Sequence, residues 1–466
     1  MKTQKKYISA GRSVFRQAAG AVAMLSVSAS LAFAAPVFDQ SVLNFQGQVF
    51  SQGALPGAEA EVRGRAFIPG QKVTLSRGGV VLNDGQPFAV DEKGEFSGKI
   101  AVPADSVPGV HPVVVQASGP SAAVILDLKI SPNVPLSGED KYTLTSKRLV
   151  QGLYQVAYSS KNDRLFVTTA VGRPPVKESS LLKVNPATLE VEASAEMALA
   201  KSRDDGHRLA VYGIGLDDAN GNVWTTNTRD GAVAVYKQSD LSLVKQFDSG
   251  LVDHARDVAV DASTGKAYAS MPMENKVAVF DIAKLEHLKD VEIDSLKRGA
   301  KFGTYSLALD SKGGKLYTVS GSTNEAAVID TKTDTVEKVF AIDGVRGAIG
   351  VAVDPASKRL FVAAQGSDNL AIVDLENGKT LHNVAVGAGA LNVAFDTVTG
   401  HAYVTNRGAG TVTVVDVDGK IVANLPGGTF PNHATPDGKG AVYVVNKSRG
   451  KDDPQGDRIT RIEVRK

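Results

Sequence analysis

The sequence predicts an all-β chain, a seven-bladed β-propeller preceded by a small β-sandwich, and three observations predict it. One type of segment recurs through residues 142–466 at intervals of about 42 to 58 residues. Each copy breaks into short apolar runs divided by polar turns, with no 3.6-residue spacing, which fits a propeller blade and not a helical repeat. Ahead of the repeats, residues 40–130 show short strands between Gly/Pro turns, the pattern of a small antiparallel sandwich.

In chain order, residues 1–34 read as a secretory signal peptide. Lys2, Lys5, Lys6, Arg12 and Arg16 precede an apolar stretch from Ala18 to Phe33, shorter than the ~20 residues a membrane span needs. Ala32 and Ala34 stand where a signal peptidase reads small residues, so cleavage is expected before Ala35 and the periplasm is the expected compartment. The chain has no cysteine, which excludes disulfides, a thiolate zinc site and a lipid-modified cysteine; stability has to come from core and sheet pairing. Without the five basic residues of the leader the formal charge of +2 becomes −3. The mature chain therefore lacks the global basic footprint of a nucleic-acid binder, although a local patch remains open.

Residues 35–130 form the first expected domain. Glu61 to Phe67, a Pro69-Gly70 turn and Lys72 to Leu75 are followed by Gly94 to Val102, a turn at Pro108-Gly109 and His111 to Val115. This turn chemistry resembles that of bacterial immunoglobulin-like modules. Residues 131–141 then read as an exposed linker, because Pro132 and Pro135 block helix and ladder alike.

Residues 142–466 carry the repeats. Gln155-Val156-Ala157-Tyr158, Gly213-Ile214-Gly215-Leu216, Asp257-Val258-Ala259-Val260, Ser306-Leu307-Ala308-Leu309, Gly350-Val351-Ala352-Val353 and Asn392-Val393-Ala394-Phe395 align as one innermost strand. Second strands such as Arg359-Leu360-Phe361-Val362, third strands such as Leu370-Ala371-Ile372-Val373 and more polar fourth strands such as Thr335 to Val339 follow. Polarity rising outward suits a blade whose inner strands are buried between neighbours. A seventh repeat, from Asn432 to Val464, lacks one strand; Tyr142 to Leu149 is expected to supply it and so join the two ends of the ring.

Tyr403-Val404-Thr405-Asn406, running into Arg407-Gly408-Ala409-Gly410-Thr411-Val412, resembles the repeat that names the YVTN-type propellers. Trp224-Thr225-Thr226-Asn227 and Tyr317-Thr318-Val319-Ser320 are degraded copies. Gly152 to Ser159, Asn185 to Val191 and the charged insertion before Ile459 are similar to the periplasmic YncE family of seven-bladed propellers, over residues 142–466. The N-terminal sandwich departs from the simplest members of that family. The resemblance implies a non-enzymatic periplasmic protein, in some cases associated with outer-membrane uptake of iron or another nutrient and with contact to DNA. An outer-membrane transporter and single-stranded DNA are thus implied partners; no catalytic residue and no cofactor are implied.

The residues themselves point the same way. There is no G-x-S-x-G elbow, no H-E-x-x-H and no phosphate-binding glycine loop. His207, His254 and His433 fall beside innermost strands and, with Asp204, Asp205 or Asp253, form the candidate metal set of an alternative hydrolase or lyase. Asp452, Asp453 and Asp457 form an acidic loop whose spacing fits no EF-hand, so a solvated loop is expected. In a propeller, loops entering the first strand share one end with loops joining the second strand to the third. Those loops hold Tyr154, Arg173, Tyr212, Arg229, Arg256, Tyr305, Arg346, Arg407, Lys447 and Arg449. An arginine and tyrosine rim suits an anionic ligand or a protein partner, with single-stranded nucleic acid as the rival. The competing expectation is that Glu178, Asp230, Glu274, Glu325 and Asp368, in the same loops, neutralise it.

Overall fold

The computed structural model describes residues 38–201 and 203–465, so the expected signal peptide and its cleavage site lie outside the described residues. Those residues form strands and turns, with one 3-10 turn at Glu139–Lys141 and no α-helix among them. Among the described residues no helix is long and apolar enough to cross a membrane.

Two sheets share one core at the N-terminal end. Gln48–Ser51, Glu59–Arg65 and Phe96–Ala101 form one; Lys72–Arg77, Gly109–Ser118 and Ala122–Ile130, with two short strands, form the other. Strict alternation turns Ala60 and Val62 inward while Glu59, Glu61 and Arg63 face water. The inward residues meet Val73, Leu75, Val113, Val115, Leu126 and Leu128, and Phe67 packs edge-on to Phe96 at 5.1 Å. The segment expected as a linker is largely exposed but not loose. Ser137 exchanges backbone hydrogen bonds of 3.0 and 2.9 Å with Asn424, whose Nδ2 donates to the Val134 carbonyl at 2.9 Å.

Seven four-stranded antiparallel sheets follow among the described residues. Six run in chain order, the first being Leu153–Ser159, Arg164–Ala170, Ser179–Val184 and Val191–Glu196. The seventh takes Phe430–Pro436, Ala441–Lys447 and Arg458–Val464, and its outer strand is Tyr142–Arg148 from the other end of the repeats. The innermost strand of each sheet lies against that of the next, and Phe430–Pro436 lies against Leu153–Ser159. The ring is closed by that contact.

Apolar second and third strands are buried between sheets: Asn222–Asn227 is buried throughout, whereas the outer strand Val191–Glu196 is mostly exposed. Trp224, Phe247 and Phe280 pack between the second and third sheets, and burying a side chain such as Phe280 contributes about 3 kcal/mol. The outward polarity gradient has one refinement. Innermost strands such as Leu153–Ser159 and Val258–Asp261 are less buried than the second strands, whereas Ala390–Asp396 is buried throughout. In the sixth and second sheets the asparagine of the Tyr-Val-Thr-Asn motif or its degraded copy ties the hairpin to the loop entering its own sheet. Asn406 Nδ2 donates to the Val386 carbonyl at 2.9 Å, and Asn227 Nδ2 donates to that of Leu209 at 3.0 Å.

Candidate functional site

The innermost strand of each sheet is an edge, and its free backbone groups need partners. Side chains one sheet away supply them. Gln155 Oε1 accepts from Ile214 N at 2.9 Å, Asp257 Oδ2 from Leu307 N at 3.0 Å, Asn392 Oδ1 from Ala434 N at 3.0 Å, and His433 Nδ1 from Val156 N at 3.4 Å. Where the equivalent residue is glycine the backbones approach too closely for a side chain: a Cβ on Gly213 would lie 2.3 Å from the Arg256 carbonyl, and one on Gly350 2.7 Å from Asn392 Cα. The residues just before this belt are Tyr154, Tyr212, Arg256 and Tyr305, and the loops joining second to third strands bring in Arg407 and Lys447.

These residues form one connected group. Arg407 Nη1 donates to Asn432 Oδ1 at 2.9 Å, and Asn432 Nδ2 donates to the Tyr154 carbonyl at 2.6 Å. Arg407 and Arg449 lie over the Phe430 ring, at 5.3 and 5.4 Å from its centroid. Lys447 lies 4.9 Å over Tyr154, which packs edge-on to Tyr212, and Arg256 lies 5.5 Å over Tyr305. The cations crowd one another. Burial first, then the charges of Arg407 and Arg229, push the Lys447 amine down to about 8, even though Asp457 pulls the other way. Burial and the neighbouring Arg256 lower Arg407 as well.

Four of the five acids expected to neutralise this rim are engaged elsewhere. Glu325 is buried and accepts from Ser295 and from Leu296 N, Asp368 pairs with Lys129, Glu274 pairs with Lys301, and Asp230 faces His207. Glu178 is exposed and forms no ion pair among the described residues. None of Arg229, Arg256, Arg407, Lys447 and Arg449 forms a salt bridge among the described residues, while Lys129, Lys301, Lys315 and Arg346 all do. Two buried polar atoms of the group lack partners: Arg256 Nε and the Tyr212 hydroxyl. That hydroxyl faces the Arg229 guanidinium without reaching hydrogen-bond geometry.

No family model matches the chain. An uncharacterized protein YncE of Salmonella typhi is 28% identical over 265 residues, spanning 54% of this chain and 69% of that protein. YncE of Escherichia coli (strain K12), also uncharacterized, is 28% identical over 251 residues, 51% of this chain and 66% of the relative. Among solved structures, virginiamycin B lyase from Staphylococcus aureus superposes with a TM-score of 0.54 at 14% identity, covering 70% of this chain and all of the lyase. Hydrazine synthase of Kuenenia stuttgartiensis gives 0.53 at 17% identity, over 64% of this chain and 94% of that one. These likenesses support a YncE-like β-propeller. At 14% and 17% identity the structural neighbours speak to the fold alone.

Not every expected rim residue joins the propeller's cationic group. Arg346 Nη2 reaches away to Asp127 of the N-terminal domain at 2.8 Å, so its charge is used in docking. Arg173 is exposed. The three histidines have separate surroundings. His207 is buried, accepts from Val176 N at 2.7 Å through Nδ1 and sets Nε2 3.4 Å from Asp230. His254 is exposed on a turn with φ of 53°, and His433 belongs to the innermost belt. No cluster of three or more metal-ligating side chains occurs among the described residues, and Asp205 pairs with Arg203. The acidic loop is structural: Asp453 accepts from Thr429 and from Arg449 N, and Asp457 accepts from Gly152 N at 2.9 Å across the closure of the ring. Sequence reading missed Phe430 and Asn432. Both stand at the start of the innermost strand Phe430–Pro436, and the signal was an aromatic close to an innermost strand, as Tyr154 and Tyr212 are.

Proposed function

We propose that this chain is a seven-bladed β-propeller carrying an N-terminal immunoglobulin-like module, and that it works in the periplasm as a non-enzymatic binding protein. Its rim of Arg256, Arg407, Lys447, Arg229 and Arg449 takes an anionic ligand or the acidic surface of a partner protein. One observation carries this reading: five cations stand together with no carboxylate paired to them among the described residues, while four of the five acids of the same loops are committed elsewhere. Grouping like charges against burial is costly, and a structural role would pair them. Tyr154, Tyr305 and Phe430 back the cations with aromatic faces, which fixes their positions at little entropic cost. The test is a pull-down from periplasmic extract with the native chain and an Arg256→Ala/Arg407→Ala variant. Partners are expected on the native chain and lost from the variant; equal recovery from both discards the rim.

A further inference from the structure

We infer that the ligand of this rim is a compact oxyanion with two or more negative charges, of the phosphate or polycarboxylate kind, seated at the channel mouth on Arg256, Arg407, Lys447 and His433. The inference rests on the rim being the binding face and narrows what binds there. It follows from a count of donors and acceptors around the mouth. The acceptors of the innermost belt are spent: Gln155, Asp257 and Asn392 each give an oxygen to a backbone N–H of another sheet, the other Asp257 oxygen accepts from Val258 N, and Asn432 Oδ1 takes Arg407, while Asp457 Oδ2, which acts on Lys447, is buried without a partner.

The other free groups beside the mouth are donors. Arg256 makes no side-chain hydrogen bond among the described residues, and its Nε is buried without a partner. Arg407 uses one of its five N–H groups on protein, and Lys447 uses none among the described residues. His433 adds another. Because its Nδ1 accepts the Val156 N–H, the neutral ring carries its proton on Nε2. The Tyr212 hydroxyl, shielded from water and unpartnered, stands beside them. A site so rich in free donors suits a ligand of acceptors alone, which is a deprotonated oxyanion.

The aromatic rings decide between a compact anion and a strand of bases. A protein that binds single strands offers aromatic faces on which bases stack. Here each of the faces beside the mouth already carries a cation: Lys447 on Tyr154, Arg256 on Tyr305, and Arg407 with Arg449 on Phe430. Tyr212 is packed edge-on against Tyr154 and only 5% exposed. The rings orient the cations, and the faces the cations hold are closed to a base.

Titration calorimetry of the full chain against inorganic phosphate, tricarballylate and an oligothymidylate without terminal phosphates tests this. Phosphate or tricarballylate is expected to bind saturably, and Arg256→Gln or Arg407→Ala to weaken binding at least ~10-fold. The oligonucleotide is expected to bind more weakly than the better of the two anions. Arg407 holds Asn432, so a lowered melting temperature in Arg407→Ala is checked against Arg256→Gln, which removes no hydrogen bond of the free protein. Phosphate as the tighter probe points to a phosphoryl ligand, tricarballylate to a polycarboxylate. Tighter binding of the oligonucleotide overturns the inference. So does failure of both anions; if partner capture still depends on Arg256 and Arg407 the rim survives without it, and if capture does not, both fall.

Discussion

The loop face of this propeller is electrically closed at the fifth sheet and open at the third, sixth and seventh. At the fifth, the strand Ala122–Ile130 of the N-terminal domain meets the loops. Lys129 Nζ reaches Asp368 at 2.9 Å and the Gln365 carbonyl at 3.0 Å, and Arg346 meets Asp127. At the other sheets Arg256, Arg407 and Lys447 occupy corresponding loop positions and form no salt bridge among the described residues. The same topological positions therefore serve two purposes. Where charges are paired they hold the molecule together, and where they are bare they are available to something else. Position in the loop does not decide which; the partner does.

Breaking the closed side has the largest expected effect. Asp368 is 1% exposed and Lys129 24%, so Lys129→Met leaves a buried carboxylate facing an apolar side chain, with only Gly389 N still donating to it. A loss of about 3 kcal/mol is expected in urea denaturation. The double variant Lys129→Met/Asp368→Asn should recover most of that loss, because the uncompensated charge is gone. Affinity for the rim's ligand should be unchanged in both. A parallel loss of affinity would mean that the closed and open regions are one electrostatic unit.

The ring was legible in the sequence because each sheet is written locally. Apolar runs at close spacing, turn residues between them and a recurring period need no distant partner to be recognised. Even closure by Tyr142–Arg148 could be read, since one repeat lacked a strand and one strand lacked a repeat. The charge balance of the rim could not. Lys129 and Asp368 lie 239 residues apart and Arg346 and Asp127 lie 219 apart, so the loop residues alone say nothing about which charges are spent. The histidines misled for a related reason. Their spacing placed them near innermost strands, but His207 and His433 there satisfy backbone N–H groups, a demand set by neighbouring sheets.

His433 provides the next test, inside the open region. Burial first, then Arg256, hold its folded-state value down to about 3, while the unfolded imidazole titrates at its ordinary 6.5. Between those values the unfolded chain binds a proton that the folded one refuses. Stability from this residue is complete above about 6.5 and is lost as pH falls toward 3, on the order of 3 kcal/mol by pH 4. Asp257 runs in the opposite sense, since burial pushes its carboxyl up and folding gains as it protonates. His433→Gln keeps an acceptor for Val156 and should flatten or invert the acid side of the melting-temperature profile. A profile that parallels the native one would place the imidazole's charge outside the balance of the mouth.

The smallest effect belongs to the exposed half of the docking contact. Arg346 and Asp127 are about half exposed, at 54% and 49%, so water already screens their attraction. Arg346→Ala should cost no more than about 0.5 kcal/mol of stability, which is the usual worth of such a pair. It should also leave anion affinity unchanged, although Arg346 belongs to the same loop face as Arg407. That contrast separates the two regions more sharply than either variant alone. Charge on the face is not enough for binding if an arginine already spent on the N-terminal domain can be deleted without consequence. Anion binding weakened as much by Arg346→Ala as by Arg407→Ala, measured in one calorimetric series, would instead make the whole face a diffuse basic field.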